Sequence, residues 1–327
     1  MQFCCRHPRL LRQLVLPTLL LAILLHPMYA ASSPKELVAN GRVDEAVQTL
    51  EQQIRQAGDA DSYNLLCRAY FMREDWDRGI TACEQASSLD PQRSLYHLWL
   101  GRTYGEKADH AGFSLSAMGL AKKTRAEFER AVELDPKNWE ARLDLAEFYA
   151  SAPGIVGGGK EKARGQAQAL ASFNPAVAHY VTGQIAEKNK DTVSAEHEYR
   201  AAIEASHGTA HAWLHLAQFF RHAKRLDEME QAMQTMESSP VDRPESLMDG
   251  ASLLLHAGRG FPLAVRLLRR YLPSPVEEGP AFKAHEILGQ LLEKQGDRRA
   301  AAEEYRSALA LCHSYSRAQE DLKRVEH

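Results

Sequence analysis

The stretch FKAHEILGQLLEKQGDRRAAAEEYRSALALCHSY, from Phe282 to Tyr315, decides how the chain is read. It divides into two short amphipathic helices around a turn at Gln295-Gly296-Asp297. Small and large residues fall at set places, Leu288-Gly289 and Leu292 before the turn and Ala301, Tyr305 and Ala308 after it. A glycine at 289 lets the first helix lie close to the second at Ala301, and Leu292 and Tyr305 fill the gap between them. One such pair cannot bury its own apolar face, so it must stack on copies of itself.

Copies lie upstream. The first unit, 34–59, is partial and matches at Gly41, Ala46 and Leu50. The second, 60–93, carries Leu66, Tyr70, Cys83 and Ala86 and closes at Asp90-Pro91, where proline cannot continue the helix. The third, 94–138, opens with Leu100-Gly101 and Tyr104 and ends with Phe128, Ala131 and Asp135-Pro136. About eleven residues beyond the repeat period fall near Lys107 to Gly119 and are expected to form a loop between the paired helices. The fourth, 139–175, has Leu145-Ala146 and Tyr149, then a second insertion from Ala152 to Lys160. Both insertions are expected to protrude without disturbing the stack. Units at 176–209, 210–243 and 244–281 follow, and the quoted stretch, 282–315, is the eighth. Residues 316–325 read as a capping helix, with Ser316 and Gln319 as a capping box and Ala318, Leu322 and Val325 as a single apolar stripe.

From Pro34 onward this pattern resembles the tetratricopeptide repeat (TPR) family. The resemblance implies an all-α, right-handed solenoid of about eight helix–turn–helix repeats with a C-terminal capping helix. It further implies a non-enzymatic protein–protein interaction scaffold that takes a peptide or partner helix in its concave groove. In the family, the second, fifth, ninth and twelfth places of each unit point into that groove. Here those places hold Glu147, Tyr180, Gln184, Glu187, His211, Leu214, Gln218 and Arg221. The mixture of aromatic, amide and both charge signs suits an extended peptide or a helix better than a polyanion. The basic clamp that some TPR domains use for a C-terminal carboxylate has no full counterpart, because Asn64 and Arg68 stand there without a lysine. Gly119–Lys123 and Ala152–Gly158 also resemble a subgroup of exported bacterial TPR proteins of undefined role, which adds no activity.

The chain has 327 residues, 44% hydrophobic and 25% charged, ample material for a core. Its N-terminus stands apart: Arg6, Arg9 and Arg12 precede the apolar run Leu14 to Leu25, and Ala30, Ala31 and Ser32 follow. This is the layout of a secretory signal peptide over 1–30, leaving the solenoid in 31–327. The protein is therefore expected in the periplasm or secreted, touching membrane only if the signal stays as an uncleaved anchor. Without those 30 residues the chain has 37 basic and 43 acidic residues, a net charge of −6, which argues against nucleic acid. Cys67, Cys83 and Cys312 remain; the first two sit on facing helices of one unit and could either bridge or be buried small hydrophobes.

Candidate chemistry is thin. Gly154 to Lys160 satisfies the first seven positions of a phosphate-binding loop, but Glu161 stands where a serine or threonine should ligate magnesium. The segment also follows a helix rather than a strand, so it reads as a glycine-rich connection. His211 and His215 lie four residues apart on one helix, a spacing that can hold a metal, but no general-base glutamate accompanies them. No catalytic, cofactor or metal residues are assigned, and no enzyme is expected. The alternative to a scaffold is a small-ligand or metal carrier using the concave, histidine-bearing helices.

Overall fold

The computed structural model describes residues 32–112, 114–274 and 280–327, so the signal segment lies outside the described residues. Residues 33–327 form one compact unit. Among the described residues there is no strand, and the α-helices fall into antiparallel pairs. They are α1 (Pro34–Ala39) with α2 (Val43–Ala57), α3 (Ala60–Met72) with α4 (Trp76–Leu89), and α5 (Ser94–His110) with α6 (Leu115–Leu134). Next come α7 (Trp139–Ser151) with α8 (Lys160–Ala171), α9 (Pro175–Lys188) with α10 (Thr192–Ala205), and α11 (Ala210–His222) with α12 (Leu226–Ser238). The last pairs are α13 (Glu245–Ala257) with α14 (Phe261–Tyr271) and α15 (Ala281–Lys294) with α16 (Arg298–Leu311), followed by α17 (Ser316–Glu326). This is an α-solenoid of helical repeats.

One turn geometry recurs. Gly41, Glu74, Lys190, Lys224, Gly258 and Gly296 each take a left-handed backbone, with φ between 60° and 86°. The next residue's N–H then reaches back five places, as from Asp75 to the Tyr70 carbonyl (3.0 Å) and from Asp297 to that of Leu292 (3.0 Å). Such a bond satisfies a carbonyl that the helix end would otherwise leave bare. Within pairs, the small residues sit where the sequence places them. A Cβ on Gly289 would fall 2.4 Å from Tyr305 Cε1, and one on Gly101 would fall 2.6 Å from Phe128.

The insertions differ from expectation. The surplus in the third pair lengthens its helices, α5 to 17 residues and α6 to 20, and only 111–114 connects them. Its alanines, lysines and leucines are good helix formers, and Ser114 accepts from the Ala117 N–H to start α6. Nor does the glycine segment protrude loosely. Val156 is buried, the Gly159 N–H donates to the Tyr149 carbonyl (2.8 Å), and Lys162 Nζ donates to the Gly157 carbonyl (3.0 Å). A Cβ on Gly158 would lie 1.8 Å from the Ala152 carbonyl oxygen, which is backbone and cannot yield. Gly158→Ala is therefore expected to destabilise the protein by about 2 kcal/mol, as forced overpacking does. Equal denaturant midpoints for the variant and wild type would show that the segment is loose after all.

The two ends of the solenoid meet. A Cβ on Gly41, in the α1–α2 turn, would fall 2.7 Å from Ala281 Cβ at the start of α15. Leu37 and Val38 share one apolar cluster with Phe282, Cys312, Tyr315 and Ala318. Around it, Asp44 accepts from the His313 N–H (2.8 Å), and Arg73 donates to Ser314 Oγ (3.3 Å). Glu74 holds both Lys283 (2.5 Å) and Arg317 (2.8 Å). The helical repeats thus close into a ring. The closing helix α17 lacks the expected capping box: Tyr315 is its N-cap without a side-chain bond, and the Gln319 amide donates to the His313 carbonyl (2.7 Å) instead.

Candidate functional site

The first helices of the pairs line the inner face, as the repeat geometry dictates, and the curvature of the stack brings distant ones together there. A cavity of about 800 Å³ is walled by Phe71 of α3, Trp99 and Arg102 of α5, Glu147 and Phe148 of α7, and Asp249 of α13. Arg243, in the connection from α12 to α13, sits with its guanidinium 5.7 Å from the Trp139 ring of α7, so that connection reaches the fourth pair. Trp99 has guanidinium groups near its ring from Arg68 (4.9 Å) and Arg102 (5.0 Å). Arg102 also donates to Asp144 (2.6 Å) and Glu140 (3.2 Å). Asp249 is open to the water of the cavity, yet protein surrounds it closely enough to push its carboxyl up to about 6, with Arg243 opposing the rise.

Six of the eight expected groove residues are tied into hydrogen-bond networks or cavity walls. Glu147, Tyr180 and Gln184 form one network: the Tyr180 hydroxyl donates to Glu147 (2.9 Å) and the Gln184 amide reaches the same oxygen (3.2 Å). Burial raises the Glu147 carboxyl, as does Asp144, and these bonds oppose the rise. Glu187 accepts from Tyr199 (2.8 Å) and meets His222 Nδ1 (2.8 Å). His211, Gln218, Tyr180 and Gln184 line two smaller cavities, of about 370 and 260 Å³, on either side of His215.

Leu214 and Tyr180 need correction as partner surface. Leu214 is 1% exposed and belongs to the core, because its place on α11 faces the next helices rather than the groove. Tyr180 is only 9% exposed, stacked on His215 with ring centres 3.6 Å apart, so it is a packing residue whose hydroxyl is already engaged. Arg221 lines none of these three cavities. Asn64 and Arg68, at the clamp places, are both buried. Trp139, Arg243 and Asp249 were missed by the sequence reading, since groove places are counted within one unit and their nearness depends on how successive units rotate.

His211 and His215 have ring centres 4.2 Å apart, and burial drives both toward the neutral form, His211 down to about 4 and His215 well below its usual value. Among the described residues, no group of three or more His, Cys, Asp or Glu side chains is placed to hold a metal ion. No described helix is long and apolar enough to cross a membrane. Cys67 and Cys83 form a disulfide, with Cα atoms 5.2 Å apart, and Cys312 is free and buried.

The sequence model of the family described as "Tetratricopeptide repeat" matches residues 35–94 and 180–240. No curated protein matches the chain. Among solved structures, the chain is similar to a thermophilic TPR protein of Thermus thermophilus, at 15% identity and a TM-score of 0.48, covering 57% of this chain and 97% of that one. It is also similar to a tetratricopeptide repeat protein of Parabacteroides merdae, at 17% identity and a TM-score of 0.38, covering 86% and 100%. A third is pilF of Pseudomonas aeruginosa, at 14% identity and a TM-score of 0.41, covering 82% and 97%.

Proposed function

Because the chain is a tetratricopeptide-repeat protein, we propose that it is a non-enzymatic interaction scaffold of the cell envelope, holding an extended segment of a partner protein in its concave face. TPR folds generally mediate protein–protein interaction, which supplies the coarse reading. The observation that carries the finer one is the inner cavity of about 800 Å³, whose aromatic walls and groups of both charge signs offer stacking and hydrogen bonding together. An extended segment suits it better than a helix. A helix with its side chains is about 10–12 Å across, and an extended segment is thinner. Placement in the envelope is supported by the basic and apolar N-terminus and by the Cys67–Cys83 bridge, which suits an oxidising compartment.

The test uses a partner recovered from the envelope fraction and then purified. Asp249→Arg places a long side chain in the cavity and should weaken its binding at least tenfold, with helix content unchanged by circular dichroism. Arg299→Glu, at a side chain 93% exposed on a second helix, should leave binding as it was. The reverse pattern would move the binding surface to the outside of the ring.

A further inference from the structure

We propose that His211 and His215 form a subsite for a carboxamide, seating the side chain of an asparagine or glutamine within an extended segment of the partner. This rests on the groove reading above and narrows it to one kind of anchor. The subsite is the cavity of about 370 Å³ bounded by Trp139, Phe173, Pro175, Tyr180 and the two imidazoles. His215 lies flat on Tyr180, at 18° between ring planes, while the Tyr180 hydroxyl is engaged by Glu147. Neither imidazole makes a hydrogen bond to another described residue; the bond at His211 comes from its backbone N–H, to Asp242 (3.4 Å).

The chemistry selects the guest. Each neutral imidazole offers one N–H donor and one lone pair, and burial keeps both rings neutral. A carboxamide is planar, carries a donor and an acceptor side by side, and can stack against aromatic walls such as Trp139. A cation is less suited, because Arg243 acts on both imidazoles and would repel it, and a carboxylate, which only accepts, would leave the imidazole lone pairs without a donor. An apolar guest would strip water from the ring nitrogens without replacing its hydrogen bonds.

The experiment selects a phage-displayed random heptapeptide library on the full chain and remeasures the best sequence as a synthetic peptide. Asparagine or glutamine should recur at one place in the selected peptides. His215→Phe, which keeps a ring on Tyr180 but removes the nitrogens, and His211→Leu should each weaken the peptide at least tenfold. Exchanging the peptide's asparagine for aspartate, or glutamine for glutamate, reads the same contact with the protein untouched and should cost as much. Peptide addition should also shift the ¹⁵N resonances of both imidazoles. Peptides that lose affinity with Asp249→Arg yet carry charged or aliphatic anchors and ignore both histidine variants would overturn the subsite and leave the groove reading standing. Absence of any bound peptide, or indifference to Asp249→Arg, would overturn the groove reading beneath it. Tight binding of zinc alone through both imidazoles would overturn the carboxamide assignment.

Discussion

Gly41→Ala is expected to part the two ends of the ring, costing about 3 kcal/mol and enlarging the molecule measurably in solution scattering. Two effects combine at this position. Its φ of +67° is a left-handed backbone, which costs a residue with a Cβ roughly 1–2 kcal/mol. The added carbon would also lie 2.7 Å from Ala281 Cβ and 2.8 Å from Ala281 N, and backbone on the far side cannot swing away. Overpacking of that kind costs about 1–3 kcal/mol. Gly296→Ala separates the terms, because Gly296 has a φ of +86° and nothing within 4 Å of the added carbon. It should show the conformational cost alone and no expansion. Equal losses for the two variants, with equal radii of gyration, would mean that the ends do not touch in solution.

Replacing Cys67 and Cys83 together by alanine is expected to lower stability by about 3 kcal/mol. The bridge spans 16 residues and ties α3 to α4, and a loop of that size restricts the unfolded chain by roughly this amount. Both sulfurs are buried beside Thr103 Oγ1, at 3.6 and 3.9 Å, so reductant should act slowly on the folded protein. Urea midpoints of exported wild type with and without reductant, set beside the variant, measure the effect. Thiol counting after denaturation gives an independent answer: a single reactive thiol, from Cys312, is expected once the signal is gone. Three thiols would refute the bridge.

Local features were legible in the sequence wherever one residue type has one use. Gly289 and Gly101 announced close helix approach, and the structure places them so; Pro175, read as the last residue of the fourth unit, instead opens the next helix, with Asn174 as its N-cap. The surplus between Lys107 and Gly119 was misread because glycines suggested a break, whereas neighbouring alanines, lysines and leucines carried the helices on through it. At the candidate site, Glu147 and His211 were found from their places within a unit. Leu214 was carried along by the same counting, although its aliphatic side chain gains more from the core than from water. The nearness of Arg243 to Trp139, and of Glu74 to Lys283 and Arg317, left no trace in the repeat pattern. Such pairs lie far apart in sequence and depend on the summed rotation of many units, each small and none written in a single residue.

An open repeat solenoid behaves as a spring, since a slight rotation at each interface adds up to a large change in pitch and lets the groove wrap its guest. Joining the first pair to the last turns the spring into a hoop. With Gly41 against Ala281 and Glu74 held by Lys283 and Arg317, no interface can rotate alone; a twist at one must be undone by the others. The inner diameter is then set before any guest arrives. A guest meets a rigid aperture that spends little conformational entropy on binding and rejects whatever is too wide, so selection rests on calibre as much as on chemistry.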